Sequence, residues 1–160
     1  MDRPRMSEIA SLEILVIRSQ AEMDQALDVR RRVFVEEQGV PIELEIDEHD
    51  GDPAEVTTAV HVLGREAGVP LATGRLILCH EADGRPHIGR VAVLREHRGR
   101  GIGRAVMLAL HDLARERGFR SLTLAAQLHA IRFYEKLGYA ARGPVFLDAG
   151  IEHRWMDVEL

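Results

Sequence analysis

Residues 87–126 carry the pattern that leaves this chain the fewest ways to fold. HIGRVAV (87–93) is a short β-rich run, and REHRGRGIGR (95–104) follows it with glycines and arginines interleaved. Ile102, Val106, Ala109, Leu110, Leu113 and Ala114 then recur at the spacing of one helix face, which stops at Gly118. SLTLAA (121–126) is again a strand. A strand, a helix and a second strand in one sheet make the two strands parallel, with a right-handed crossover. The pattern therefore predicts parallel neighbours, the fourth and fifth strands of the chain, with a glycine turn at the helix head.

The flanks supply the remaining elements. LEILVIR (12–18) reads as the first strand. Ser19 followed by Glu22 is a capping-box signature, and Ala26, Leu27, Arg30, Val33 and Phe34 lie along one face of the helix it starts. Gly39 and Pro41 end that helix. TTAVHVLGR (57–65) and PLATGRLIL (70–78) read as strands joined around Gly68, and Asp83-Gly84 is a turn leading into the fourth. HAIRFYEKL (129–137) predicts a short helix, with final strands near PVFL (144–147) and HRWMDVEL (153–160). The order is mixed α/β, and 160 residues at 46% hydrophobic suit one domain over residues 1–160.

Composition excludes some functions. No run of eighteen apolar residues occurs, and MDRPRMSEIA lacks a signal peptide's apolar stretch, so the expectation is a cytoplasmic protein with no membrane partner. Cys79, the only cysteine, allows no internal disulfide and is expected to be a small buried hydrophobe. A net charge of −5 argues against nucleic acid as a partner. The eight histidines have no recognised ligand spacing, so no metal is expected. Charge is unevenly spread: nine acids and no Lys or Arg lie between Glu36 and Glu55, whereas Arg95 to Arg104 holds four arginines against one glutamate. Such runs suit ligands of opposite sign, or simply face solvent.

A glycine turn between strand and helix is an anion device, because helix-start amides lack acceptors and carry about half a positive charge. A Walker loop would need Gly-Lys-Ser/Thr, and the only lysine is Lys136. A dinucleotide fingerprint fails at its third glycine, where Arg104 stands, and SLTLAA offers no ribose-binding acid. What remains is R-x-x-G-x-G: Arg98, Gly101 and Gly103.

That loop resembles the R/Q-x-x-G-x-G/A motif of the GNAT superfamily of acyl-CoA N-acyltransferases. A second motif of that family, roughly N-x-x-A-x-x-F-Y-x-K-x-G-F/Y, is matched by Ala130, Phe133, Tyr134, Lys136, Gly138 and Tyr139, with Gln127 in place of the first Asn. RRVFVEEQGVP, the spacing of Glu45, Asp47 and Asp50, and GIEHRWM resemble the ElaA-like subgroup. The segment RRVFVEEQ also resembles acyl-homoserine-lactone synthases, which share the fold. The resemblance implies a mixed seven-stranded sheet flanked by about four helices, with acetyl-CoA as co-substrate and an amine acceptor on a small molecule or peptide. It also allows a homodimer.

Carried over residue by residue, the resemblance places Val91, Ala92 and Val93 beside the pantetheine arm, in a gap where the fourth and fifth strands splay. It wraps Arg98, Gly99, Arg100, Gly101, Ile102, Gly103 and Arg104 round the pyrophosphate, and sets Gln127 and Ala130 on the far wall. Tyr134 matches the group facing the departing thiolate. Glu37 and Asp47 are candidates for the base, with Asp148 and His153 as others, and Phe34, Gln38, Asp50, Arg75 and His153 are expected around the acceptor. A non-catalytic acyl-CoA sensor using the same cleft is the reading of another class.

Overall fold

The computed structural model describes residues 11–160. The segment MDRPRMSEIA, read above for targeting signals, lies outside the described residues. Chain order is β1 (Leu12–Val16), α1 (Gln20–Arg30), α2 (Ile42–Glu45), β2 (Ala59–Glu66), β3 (Val69–Ile77), β4 (His87–Val93), α3 (Ile102–Glu116), β5 (Ser121–Gln127), α4 (Ile131–Glu135), β6 (Ala140–Asp148) and β7 (Ile151–Glu159). The strands form one seven-stranded mixed sheet in the order β1-β2-β3-β4-β5-β7-β6. Among the described residues no helix is long and apolar enough to cross a membrane.

Local chemistry accounts for the main boundaries. The Ser19 hydroxyl accepts from the Glu22 amide at 3.2 Å, and the Ser19 amide donates to the Glu22 carboxylate, closing the expected capping box. α1 then widens into a π-helical segment over Arg31–Glu37 before Gly39, at φ 73°, turns the chain. β6 is longer than PVFL suggested: Gly143-Pro144 reads as a breaker, but the strand continues through it as an irregularity against β7 between Arg142 and Phe146. Cys79 is exposed rather than buried, its thiol facing the Gly84 carbonyl at 3.7 Å.

α1 and α3 pack against β2 and β3. Val106, Met107, Leu110 and Ala114 of α3 are wholly buried in a core with Leu71, Ala72 and Leu76 of β3. Each large apolar side chain so buried stabilises by about 1.5–3 kcal/mol. α3 comes so close to β3 because Gly74 has no side chain: a Cβ there would sit 2.9 Å from both Leu110 and Val106.

The sheet opens where the parallel pair should continue. β4 and β5 pair only at His87 with Thr123 and Ile88 with Leu124. β4 runs on to Val93 and β5 to Gln127, so beyond Ile88 one edge of β4 has no strand neighbour. A bulge accompanies the divergence: Thr73 faces Ala92, Arg75 faces Gly89, and Arg90 takes φ 52° between them.

Candidate active site

A cleft of about 860 Å³ fills the gap between the diverging ends of β4 and β5, within the range that holds a cofactor or small molecule. Val91, Ala92 and Val93 line it along the open strand edge, with Arg98, Gly99 and Gly101–Arg104 at one end and Gln127, Ala130 and Tyr134 opposite. Phe34, Gln38, Arg75 and His153 line it as well. Glu37, Asp47, Asp50 and Arg100 do not.

The glycine turn is built to present donors. Gly101 caps α3 in the left-handed region at φ 81° and offers no side chain to the helix. The first helical bond runs from the Ala105 amide to the Gly101 carbonyl at 3.1 Å. The amides of Gly99, Gly101, Ile102, Gly103 and Arg104 therefore have no acceptor among the described residues, a cluster of N–H groups at a helix head suited to a phosphate. Arg104 lines the cleft with no carboxylate partner among the described residues.

The neighbouring arginines differ. Arg98 donates to both Glu37 oxygens at 2.7 and 2.9 Å, and its Nε donates to the Val93 carbonyl at 2.9 Å. Glu37, expected near an amine as a base, is thus a clamp on the arginine of the phosphate turn. Arg100 turns away to Glu66 and His97.

Tyr134 lines the cleft, and its hydroxyl has no hydrogen-bond partner among the described residues. Burial pushes its pKa up to about 12. Its ring is held edge-on by Phe133 and Tyr139, with centroids at 5.0 and 5.8 Å. Gln127 does not stand alone: its amide and that of Gln38 exchange hydrogen bonds at 2.8 and 3.3 Å, joining the end of β5 to the segment after α1.

Three acids of the run, Glu45, Asp47 and Asp50, turn inward onto arginines, while Glu43, Glu48, Asp52 and Glu55 stay exposed. Asp47 accepts two bonds from Arg75, both at 2.7 Å, and Asp50 accepts from Arg30 at 2.6 and 2.9 Å and from Arg75 at 3.0 Å. The Asp50 side chain is fully enclosed, so the expected contact with an acceptor is replaced by two guanidinium groups. Glu45 joins the cluster, shared by Arg30 and Arg90 at 3.0 Å each. Burial alone would raise both aspartates, but the arginine hydrogen bonds and charges outweigh it and hold them below the usual carboxylate range. Removing one partner from such a buried network costs about 3–5 kcal/mol.

Sequence reading gave Arg30 and Arg90 no role in the site and named Glu45 only within the ElaA-like acidic spacing. Signals existed: Arg30 falls on the apolar face of α1, and Arg90 interrupts an apolar strand, so each is a charge that burial must pair. At the other end of the cleft His153 donates from Nδ1 to the Ile151 carbonyl at 2.7 Å, which leaves Nε2 as the acceptor of the neutral ring. Phe146 stacks on both His153 and Trp155 there. His80, Asp83 and His87 also bring possible ligand atoms within 4.8 Å of one another, and His87 Nε2 donates to both Asp83 oxygens at 2.9 Å.

Comparison with known proteins agrees with this geometry. The model of the acetyltransferase (GNAT) family matches residues 23–139. An uncharacterised N-acetyltransferase of Bacillus subtilis strain 168, YjcF, is 34% identical over 146 residues, covering 91% of this chain and 98% of its own. A crystallised acyl-CoA N-acyltransferase from Pseudomonas aeruginosa is 29% identical with a TM-score of 0.78, over 92% of this chain and 99% of its own. Escherichia coli ElaA is 28% identical with a TM-score of 0.77 over the same shares, in line with the subgroup resemblance. The splayed parallel pair, the glycine turn and these matches converge on one conclusion: the chain is an acyltransferase and belongs to the GNAT family.

Proposed function

We propose that the protein transfers an acetyl group from acetyl-CoA to a primary amine, by direct attack of the neutral amine on the thioester in a ternary complex. The observation that carries this reading is the set of amides of Gly99, Gly101, Ile102, Gly103 and Arg104, which have no acceptor among the described residues and open on the edge of β4 that β5 leaves uncovered. Those amides and Arg104 would hold the diphosphate, while Arg98, neutralised by Glu37, braces the turn. The Val91–Val93 edge would receive the pantetheine arm.

Two protons need handling. An alkyl amine with pKa near 10.4 costs about 4.6 kcal/mol to deprotonate at pH 7. With Glu37 and Asp47 committed to arginines, His153 is the base we assign, its Nε2 lone pair receiving the ammonium proton through water. Tyr134 faces the leaving sulfur. With its pKa near 12 against a thiol near 8.5, full proton transfer would be uphill by about 5 kcal/mol. Its role is to donate a hydrogen bond to the developing thiolate.

Calorimetry with acetyl-CoA, followed by thiol release across a panel of amines, tests the proposal. Binding together with amine-dependent release is expected. Binding without release for any amine would support an acyl-CoA sensor instead, and absence of binding at millimolar acetyl-CoA would overturn both.

A further inference from the structure

We propose that Arg90 selects the acceptor by gripping a carboxylate, so that the amine acetylated belongs to a small amino acid rather than to a polyamine or plain alkylamine. The proposal rests on the N-acetyltransferase reading above.

Arg90 is held in an expensive conformation. A left-handed backbone at a non-glycine residue costs about 1–2 kcal/mol, and here it coincides with the β4 bulge, a device that re-aims a side chain. The re-aimed guanidinium is fixed along one side only. Nε meets the Glu45 carboxylate at 3.0 Å and the Glu45 carbonyl at 3.1 Å, and Nη2 donates to the carbonyls of Leu44 and Glu45 at 3.3 and 3.1 Å. Nη1 has no acceptor among the described residues and is not an enclosed atom, and Arg90 lines the cleft immediately before Val91.

The cluster around it is balanced in number, with Arg30, Arg75 and Arg90 against Glu45, Asp47 and Asp50, and Arg90 Nη2 also lies 3.7 Å from Asp47. Burial first, then the guanidinium groups of Arg75 and Arg30, outweigh Glu45 and Asp47 and disfavour its charged form. Arg30, by contrast, is stabilised in its charged form by Asp50 and Glu45 despite burial. A carboxylate at Nη1 would give Arg90 a counter-charge of its own, since it shares Glu45 with Arg30 and Asp47 with Arg75. Of the acids that sequence alone would offer to a cationic acceptor, Glu37, Asp47 and Asp50 are folded onto arginines, and Glu45 and Asp148 are the carboxylates that line the cleft. Beyond Arg90 the wall is aromatic, with Phe146 stacked on Trp155 at 4.9 Å, which suits an apolar or aromatic side chain on the acceptor.

The test compares matched acceptors: phenylalanine with phenylalaninamide and phenethylamine, and leucine with leucinamide and isoamylamine, each rate referred to the neutral amine. The carboxylate-bearing member of each set is expected to exceed the others in kcat/KM by about 10-fold or more, as a charge-assisted bond implies. Arg90→Gln should bring the ratio to within about 2-fold while acetyl-CoA still binds. Equal or better turnover of the decarboxylated amines by the native protein overturns the proposal, whether or not the variant folds. If no amine releases thiol, the transferase reading fails on its own. The anchor is then judged by binding of N-acetylphenylalanine against its amide to the CoA-loaded native protein: a preference for the acid supports it, and equal or absent binding rejects it.

Discussion

Tyr134 and Arg30 mark the two ways a residue matters in this molecule. The tyrosine contributes a hydroxyl with no hydrogen-bond partner among the described residues, held in the cleft by Phe133 and Tyr139. Tyr134→Phe removes that donor and little else, so turnover should fall by about 10- to 100-fold with acetyl-CoA affinity retained. Steady-state rates alongside calorimetry check this, and unchanged turnover would strike Tyr134 from the chemistry. Tyr134 was legible in the sequence because it sits in a motif of fixed spacing. Arg30 was not, although its place among Ala26, Leu27 and Val33 advertised a buried charge. Its partners, Glu45 and Asp50, lie 15 and 20 residues away, and no local rule links them.

Among elements, the head of α3 carries the proposed diphosphate site. Gly101 adopts φ 81°, and its position has room for a side chain, with nothing within 4 Å of a built Cβ. The requirement there is conformational rather than steric. Gly101→Ala should cost about 1–2 kcal/mol to keep the same turn. Relaxation of that strain would swing the amides off the ligand, weakening acetyl-CoA by about 10-fold or more for each 1.4 kcal/mol lost. A dissociation constant within 2-fold of native would count against the turn as the phosphate site. The helix, its start and its glycine turn were readable because they obey local periodicity and capping. The bulge in β4 was not, since HIGRVAV reads as an unbroken strand and only the register against β3 exposes the extra residue.

For the molecule as a whole, buried ionisable groups set how stability follows pH. His61, His87 and His111 are lowered below their ordinary value of 6.5, chiefly because burial penalises the charged ring. In the unfolded chain each titrates near 6.5, so below that pH the unfolded state binds more protons and stability declines as pH falls. Asp47 and Asp50 are also lowered, by the arginines around them. Their contribution is present above about pH 4 and is lost as pH falls through their folded pKa values. The thermal midpoint should therefore be highest near or above neutrality and fall in two stages, one beginning near pH 6.5 and one below about pH 4. Scanning fluorimetry from pH 8 to pH 3 measures it, and a flat midpoint between pH 8 and pH 4.5 would contradict the histidine contribution.

Sequence by itself determined the seven strands, the parallel fourth and fifth pair, the helix heads and the glycine turn, because each follows from periodicity and backbone chemistry within a few residues. The family resemblance added Tyr134, Gln127 and the Val91–Val93 edge, all of which line the cleft. Tertiary structure alone decided where the acids went. Nine acidic residues between positions 36 and 55 read as a surface for cations or a run facing solvent, yet Asp47, Asp50 and Glu45 turn inward onto Arg30, Arg75 and Arg90. Enclosed charges must find opposite partners, and which partners are within reach depends on strands and helices meeting across the sheet, a fact no spacing along the chain encodes.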